Sequence, residues 1–328
     1  MKIAVLGAGA WGTAISITLA QRHDVTLWAR DAGQCASMRS ARSNQRYLPG
    51  FTLPANLVLE TDIAAAVAGC ELALVAVTTN GLRATFERLR EARCAAPVVW
   101  LCKGFEKERA KLPHQVCAEE LGAGVRCGAL SGPSFAEEVA RGLPTAVTLA
   151  SSDPEFARTA ARDLHSATLR VYCTDDVIGV EVAGAVKNVM AIAAGICDGL
   201  DLGLNARAAL ITRGLAEMTR LGVRLGGRIE TFMGLAGAGD LILTCTGDLS
   251  RNRRVGLRLA QGVPLADILA ELGHVAEGVY SAREVARLAR ELAVDMPITV
   301  AVCRVLDDPT AAGAVVKELL QREPKAEF

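Results

Sequence analysis

The sequence has no surplus of either charge: Lys and Arg total 36, Asp and Glu total 36, and the formal net charge is zero. A chain so balanced has no bulk attraction to nucleic acid or to an anionic membrane. Aromatic residues are scarce, at 4%, and are not interleaved with basic ones in the manner of a nucleic-acid surface. The ten cysteines form no CxxC pair and do not cluster with the four histidines at zinc spacing, so no metal is expected. No leader-like segment precedes the first apolar run at Lys2, and scattered thiols suit a reducing interior, so a cytoplasmic setting is expected. No apolar run is both long and continuous enough to span a bilayer; residues 186–196 are too few and are preceded by charge. Repeats, low-complexity tracts and long linkers are missing as well.

What is present is a globular chain of 328 residues, 51% hydrophobic, long enough for two domains with sizeable cores. Residues 2–6 (KIAVL) read as a strand buried on both faces. GAGAWG follows at once from Gly7, and residues 13–21 continue as a helix. This is the order a dinucleotide-binding unit requires. Gly7 permits the tight turn, Gly9 lets the backbone approach a pyrophosphate, and Gly12 allows the helix to pack closely on the strand. The helix start offers free N–H groups and a partial positive charge to phosphate oxygens.

The second strand, 25–29, ends at Arg30 and Asp31. An acid at this point would bind the ribose 2′-hydroxyl and repel a 2′-phosphate, whereas an arginine would hold that phosphate. Both residue types are present, so NADP or NAD is the expected cofactor, with acceptance of NADP the working hypothesis. Strands at 57–59, 72–77, 98–101, 127–130 and 169–172 alternate with helices at 62–68, 81–93 and, opened by Asp153 and Pro154, up to residue 164. Lys103 lies just past the carboxyl end of one strand, where open α/β sheets bind ligands. Ser134 is placed to cap a short helix with Glu137 completing a capping box, and Gly132 would allow a ligand close approach. The expected fold is α/β, an N-terminal Rossmann-like doubly wound, mostly parallel sheet over residues 1–176, followed by a C-terminal all-α domain over 177–328.

The helical half is organised around EVAGAVKNVMAIAAG from Glu181. A helix apolar on every side is normally buried. Glu181, Gly184, Lys187, Asn188 and Ala191 share one face at spacings of three and four. A lysine is almost never buried without a reason. Desolvation would lower its pKa toward neutrality; the alternative is a structural pair with Glu181 or a side chain reaching solvent. Further on, Asn205 is expected to cap a helix. A glycine-rich, poorly helical region, GLAGAGDLILTCT from Gly234, carries Asp240 and Thr244, and SRNRR begins at Ser250. Arginine forks and amides suit phosphate oxygens. The loop VAEG follows from Val275.

Taken together, GAGAWGTA from Gly7, CKG from Cys102, SGPSFAEE from Ser131, EVAGAVKNVMAIAAG from Glu181, GLAGAGDLILTCT from Gly234, SRNRRVG from Ser250 and VAEGV from Val275 resemble, over the whole length, bacterial-type NAD(P)-dependent glycerol-3-phosphate dehydrogenases. The resemblance implies interconversion of sn-glycerol 3-phosphate and dihydroxyacetone phosphate, feeding phospholipid synthesis. It implies cofactor contacts from Ala10, Trp11, Arg30, Tyr47, Lys103, Ala136, Arg251, Val275 and Glu277. It implies substrate contacts from Lys103, Gly132, Ser134, Lys187, Asp240, Ser250, Arg251 and Asn252, and the residue pattern adds Asn188, beside Lys187, and Thr244 as further substrate-binding candidates. Lys187 matches the family's proton donor and acceptor, with Lys103 and Asp240 as further catalytic candidates. The partner is then a small phosphorylated substrate, with neither nucleic acid nor a membrane span, and a homodimer is one option for assembly. The competing readings are a 6-phosphogluconate or β-hydroxyacid dehydrogenase, with a similar plan, and a non-catalytic NAD(P)-sensing protein.

Overall fold

The computed structural model describes residues 1–272 and 276–323. The chain forms two compact units: Met1–Glu106 with Lys111–Glu181, and Lys107–Ala110 with Val182–Phe328. Their junction near residue 181 lies inside a helix, not ahead of it.

The first unit contains β1 (Lys2–Leu6), β2 (Asp24–Trp28), β3 (Ser43–Asn44), β4 (Leu48–Thr52), β5 (Val58–Glu60), β6 (Leu72–Val75), β7 (Val98–Trp100), β8 (Cys127–Ser131), β9 (Thr145–Ala150) and β10 (Leu169–Thr174). Eight of these form one sheet in the order β10-β9-β8-β7-β6-β1-β2-β5. All its neighbours are parallel except β8 and β9. β3 and β4 form a separate antiparallel ribbon. β1 sits centrally, Val5 opposite Leu27 on one side and Leu74 on the other. Ile3, Val5, Leu27 and Leu74 are all buried, as a strand covered on both faces demands. Around the sheet run α1 (Ala10–Leu19), α2 (Ala32–Ala41), α3 (Ile63–Val67), α4 (Thr79–Glu91), α5 (Pro113–Leu121), α6 (Ala136–Ala140) and α7 (Pro154–Leu164). Asp153 caps α7 as expected, accepting from Glu155 N and Phe156 N. Ser134 does not cap α6. Its hydroxyl donates to the Gly132 carbonyl, and Phe135 is the residue preceding the helix.

α8 (Val177–Gly199) opens the helical part, followed by α9 (Gly203–Arg224), α10 (Ile229–Met233), α11 (Asp240–Thr246), α12 (Arg251–Ala260), α13 (Leu265–Leu272), α14 (Glu277–Glu291), α15 (Pro297–Asp307) and α16 (Ala312–Leu320). α8 is longer than the apolar pattern suggests. By length and composition it could cross a membrane, but 89% of its most apolar stretch is buried inside the protein, so it is a core helix. Asn205 lies inside the first turn of α9, whose capping position is Leu202. The stretch from Gly234 is helical after all, a π-turn at Leu235–Gly239 leading into α11. Residues Lys107–Ala110 belong to the second unit: Glu108 N donates to Glu284, and Arg287 donates to the Glu108 carbonyl.

The start of α15 has no side-chain cap of its own. Glu217 of α9 supplies one, accepting from Ile298 N at 2.7 Å and from Thr299 N and Oγ1 at 3.3 Å. Glu217 is 1% exposed, and loss of hydration pushes its carboxyl up to about 7 against those bonds. A carboxyl whose pKa is higher folded than unfolded favours the fold while protonated and loses that contribution as pH rises through the folded value. The difference corresponds to roughly 3 kcal/mol between pH 5 and pH 8. Glu217→Gln, neutral throughout, is therefore expected to show a flatter dependence of Tm on pH over this range. Parallel Tm curves for the two proteins would contradict this.

Candidate active site

In the first unit the glycine turn has the shape its sequence implies. Gly7 takes φ +123°, and a Cβ there would lie 2.6 Å from the Ala76 carbonyl oxygen; a Cβ on Gly12 would lie 1.9 Å from the Gly7 oxygen. Gly9 faces open space and precedes α1, which has no side-chain cap. The N–H groups of its first turn thus point past a residue with no side chain, beside the half-buried Ala10 and Trp11. That cradle fits a dinucleotide pyrophosphate. Two amides that the sequence reading did not single out hold the turn in place. Gln34 Nε2 and Asn44 Nδ2 both donate to the Ala8 carbonyl, at 2.8 and 3.0 Å, and Asn44 also donates to Thr13 Oγ1. Isolated amides in unpatterned sequence give no signal of such a role.

Beyond β2, Arg30 is exposed. Asp31 caps α2, accepting from Gln34 N, and lies 3.9 Å from the Arg46 guanidinium. Hydrogen bonds from the Gln34 and Gly33 amides hold its carboxyl below the usual range. Arg46 also stacks over the half-buried Tyr47 ring. At the ends of β7 and β8 the structure brings Lys103, Gly132 and Ser134 together: Lys103 Nζ donates to the Gly132 oxygen at 3.0 Å and Ser134 Oγ to the same oxygen at 2.9 Å. The loop leaving Lys103 is fastened by Arg83, bidentate to Glu106 at 2.6 and 3.0 Å. Ala136 opens α6, partly buried against the core of this unit.

In the second unit Lys187 is buried, 7% exposed. Its Nζ donates to Asp240 Oδ1 at 2.7 Å and Thr244 Oγ1 at 2.9 Å. Asp240 opens α11 and is 1% exposed. Thr244, one turn on, also donates to the Asp240 carbonyl. Glu181, the sequence's alternative partner for Lys187, is engaged elsewhere: it accepts from His114 N at 2.8 Å and pairs with the His114 ring at 2.5 Å.

Asn188 and Asn252 form the second polar group. Asn252 Nδ2 donates to Asn188 Oδ1 at 3.0 Å, while its Oδ1 accepts from Gly278 N at 3.1 Å. The arrangement depends on how closely α8 and α12 cross. A Cβ on Gly195 would lie 2.0 Å from the Arg253 carbonyl oxygen, and one on Gly256 would lie 2.0 Å from that of Ile192. Ser250 caps α12 by accepting from Arg253 N. Arg251 stands exposed in the first turn. The sequence reading passed over Arg253, yet it is the partly buried arginine of the run, bonded to Asp198 at 2.8 Å and Asp248 at 2.9 Å. Glu277 opens α14. Val275 lies outside the described residues.

The comparisons with known proteins cover both units. The model for the NAD-dependent glycerol-3-phosphate dehydrogenase N-terminus matches residues 2–157, and that for its C-terminus matches residues 176–317. A protein from Dechloromonas aromatica (strain RCB) named glycerol-3-phosphate dehydrogenase [NAD(P)+] is 62% identical over 328 residues, covering all of both chains. One of the same name from Nitrosospira multiformis is 60% identical over 332 residues, again with full coverage. The crystal structure of glycerol-3-phosphate dehydrogenase from Coxiella burnetii is 44% identical, covers 98% of this chain and 99% of its own, and superposes with a TM-score of 0.93. The chain belongs to the NAD-dependent glycerol-3-phosphate dehydrogenase family.

Proposed function

We propose that the protein interconverts sn-glycerol 3-phosphate and dihydroxyacetone phosphate, with Lys187 as the proton donor and acceptor. The observation that carries this reading is the buried ammonium of Lys187 held between Asp240 and Thr244. Bound NAD(P) supplies the hydride acceptor or donor. On reduction of the ketone, the Lys187 ammonium polarises the carbonyl oxygen and gives it a proton. On oxidation, the neutral amine takes the proton from the C2 hydroxyl. Asp240 and Thr244 fix the direction of Nζ, so the proton moves along a preset line. In the first unit, Gly7, Gly9 and Gly12 with Ala10 and Trp11 seat the pyrophosphate, and Tyr47, Ala136 and Arg30 extend that seat. In the same reading Glu277 and Arg251 also contact the cofactor. Lys103, Gly132 and Ser134 contact the substrate, as do Asn188, Ser250 and Asn252. Thr244 acts here chiefly by orienting Lys187, rather than by gripping phosphate. A cytoplasmic setting and a homodimeric assembly belong to the same proposal.

The test is spectrophotometric: consumption of NADPH or NADH with dihydroxyacetone phosphate. Turnover is expected with this substrate and not with 6-phosphogluconate; cofactor binding without turnover would overturn the proposal.

The phosphate anchor in this reading is Arg251 at the positive end of α12, a place that favours anions. A hydrogen bond to a charged group contributes about 1.5–3 kcal/mol. Arg251→Ala is therefore expected to raise the KM for dihydroxyacetone phosphate by ~10–100-fold while kcat changes little. An unchanged KM would remove Arg251 from the anchor.

Cofactor choice rests on the end of β2. Asp31 is committed to the start of α2 and is flanked by guanidinium groups, which leaves Arg30 to meet a 2′-phosphate. Arg30→Ala is expected to lower kcat/KM for NADPH relative to NADH by ~10-fold or more. An unchanged ratio would sink this assignment.

A further inference from the structure

The antiparallel ribbon of β3 and β4 stands apart from the main sheet, and its base carries a buried amide. Asn44 is 1% exposed. Its Nδ2 donates to the Ala8 carbonyl at 3.0 Å and to Thr13 Oγ1 at 2.8 Å, and its Oδ1 accepts from Tyr47 N at 3.3 Å. A carbonyl only accepts and a backbone N–H only donates, so chemistry settles which end of the amide is which. Asn44 pairs with Leu48 across the ribbon, so residues 45–47 form the ribbon's turn and Tyr47 sits on it. The one side chain therefore ties together the glycine turn, the first turn of α1 and the turn that carries Tyr47. Gln34 of α2 reaches the same Ala8 oxygen at 2.8 Å, and the two amides occupy both of its lone pairs. A trans peptide points its C=O and its N–H in opposite directions, and no peptide bond among the described residues is cis. With the Ala8 oxygen drawn toward α2 and the ribbon, the Gly9 N–H is turned the other way. Gly9 has open space where a side chain would stand, and its N–H meets no acceptor among the described residues.

We propose that Asn44 is the positioning residue of the dinucleotide seat, aiming the Gly9 N–H at the pyrophosphate and holding Tyr47 in place through the same amide. The inference rests on the seat assigned above to Gly7, Gly9, Gly12 and Tyr47, and not on the proton chemistry of Lys187. A peptide free to rotate would be ordered only when the cofactor arrives, and that ordering would be subtracted from the binding energy. A peptide fixed beforehand presents its donor without that loss. Gly9 is held from both sides. The peptide before it is fixed by Asn44 and Gln34, and its own carbonyl accepts from Thr13 N at 3.0 Å. Thr13 is itself fully buried, so the frame that holds the turn does not depend on solvent. Arg46, which stacks over Tyr47 and lies 3.9 Å from Asp31, carries the same chain of contacts to the start of α2. The ribbon thereby has a task that the main sheet does not explain: it delivers an amide to the glycine turn and an aromatic ring beside it.

The test measures binding to the purified full-length protein, of NADH by its fluorescence and of ADP-ribose by its displacement of NADH. Asn44→Leu keeps the approximate volume and removes both donors and the acceptor. Its Kd for each ligand is expected to rise ~10-fold or more, since several hydrogen bonds that shape the seat are lost together. Gln34→Leu leaves Asn44 on the Ala8 oxygen and is expected to raise the same Kd values only ~2–5-fold. In steady state the KM for NADH should rise with the Kd while kcat changes little. Tyr47→Ala supplies a readout that a merely structural role would not move. Its effect on Kd should be smaller in the Asn44→Leu background than in the parent, because the ring has already lost its tether. Asn44→Ser, whose hydroxyl is too short to reach all three partners, replaces Asn44→Leu if the latter does not fold. The inference is overturned if a folded Asn44 variant binds ADP-ribose as tightly as the parent does, whatever its Tm, or if the Asn44 and Tyr47 penalties multiply as they do for independent sites. A parent protein that binds no ADP-ribose would overturn the seat itself, and this inference with it.

Discussion

Lys187→Ala is expected to lower turnover by at least ~10²–10⁴-fold, the contribution typical of a positioned proton donor. Dinucleotide binding, followed by the fluorescence of bound NADH, should change little, because the glycine turn belongs to the other unit. The fold will also respond. Asp240 is 1% exposed, and removing one partner of a buried ion pair costs about 3–5 kcal/mol. Loss of activity alone therefore does not separate chemistry from stability. Lys187→Met combined with Asp240→Asn removes both charges at similar volume. That double variant should recover most of the Tm lost by the single one and recover no turnover. Activity retained in Lys187→Ala at a rate near the parent's would exclude the lysine as the proton carrier.

Gly256→Ala should have the largest effect on the fold. Its added carbon would stand 2.0 Å from the Ile192 carbonyl oxygen and 2.8 Å from Gly195 Cα and Ile196 N. All three are backbone atoms of α8, so no side chain can swing aside and the helices themselves must separate. Overpacking of this kind costs about 1–3 kcal/mol and occasionally more. Separation of α12 from α8 would also pull Asn252 from Asn188 and from Gly278 N. We expect a fall in Tm together with a raised KM for the phosphorylated substrate. Gly313→Ala is the control. It lies in α16 with open space around it, and exchange of a helical glycine for alanine should stabilise by about 0.5–1 kcal/mol. Equal Tm values for the Gly256 and Gly313 variants would show that the close crossing is unimportant.

These two variants differ in how readable their causes are from sequence. The dinucleotide end of the fold is legible because its determinants are local: KIAVL, three spaced glycines and a helix start within a dozen residues. Lys187 stands out because a cation interrupts a run apolar on all sides. Its partners do not stand out, since Asp240 and Thr244 lie 53 and 57 residues away and no periodicity links them to it. Asn252 and Asn188 are 64 residues apart, and the glycines that let them meet look like poor helix residues until the crossing is seen. Two capping expectations failed for physical reasons. The Ser134 hydroxyl is drawn back to the Gly132 carbonyl, and α9 begins at Gly203, two residues before Asn205. The antiparallel β9, the ribbon of β3 and β4, and helices α2 and α5 lack clean apolar alternation or an unbroken apolar stripe, so pattern reading passes over them. Arg253 was passed over for the opposite reason, since a run of basic residues does not say which one turns inward.

The excursion of Lys107–Ala110 has a bearing on how such a protein could have been assembled or could now be recombined. The polypeptide changes compact unit three times, at 106/107, 110/111 and 181/182. A single cut in the gene cannot deliver either half intact: a front fragment ending at residue 181 would carry four residues that belong to the back. Chimaeras joining the front of one such enzyme to the back of another would inherit a mismatched patch against α14 unless that tetrapeptide travelled with the rear segment. The two halves are therefore poor interchangeable cassettes, and natural swaps between relatives should be rare unless they preserve Glu108 opposite Glu284 and Arg287.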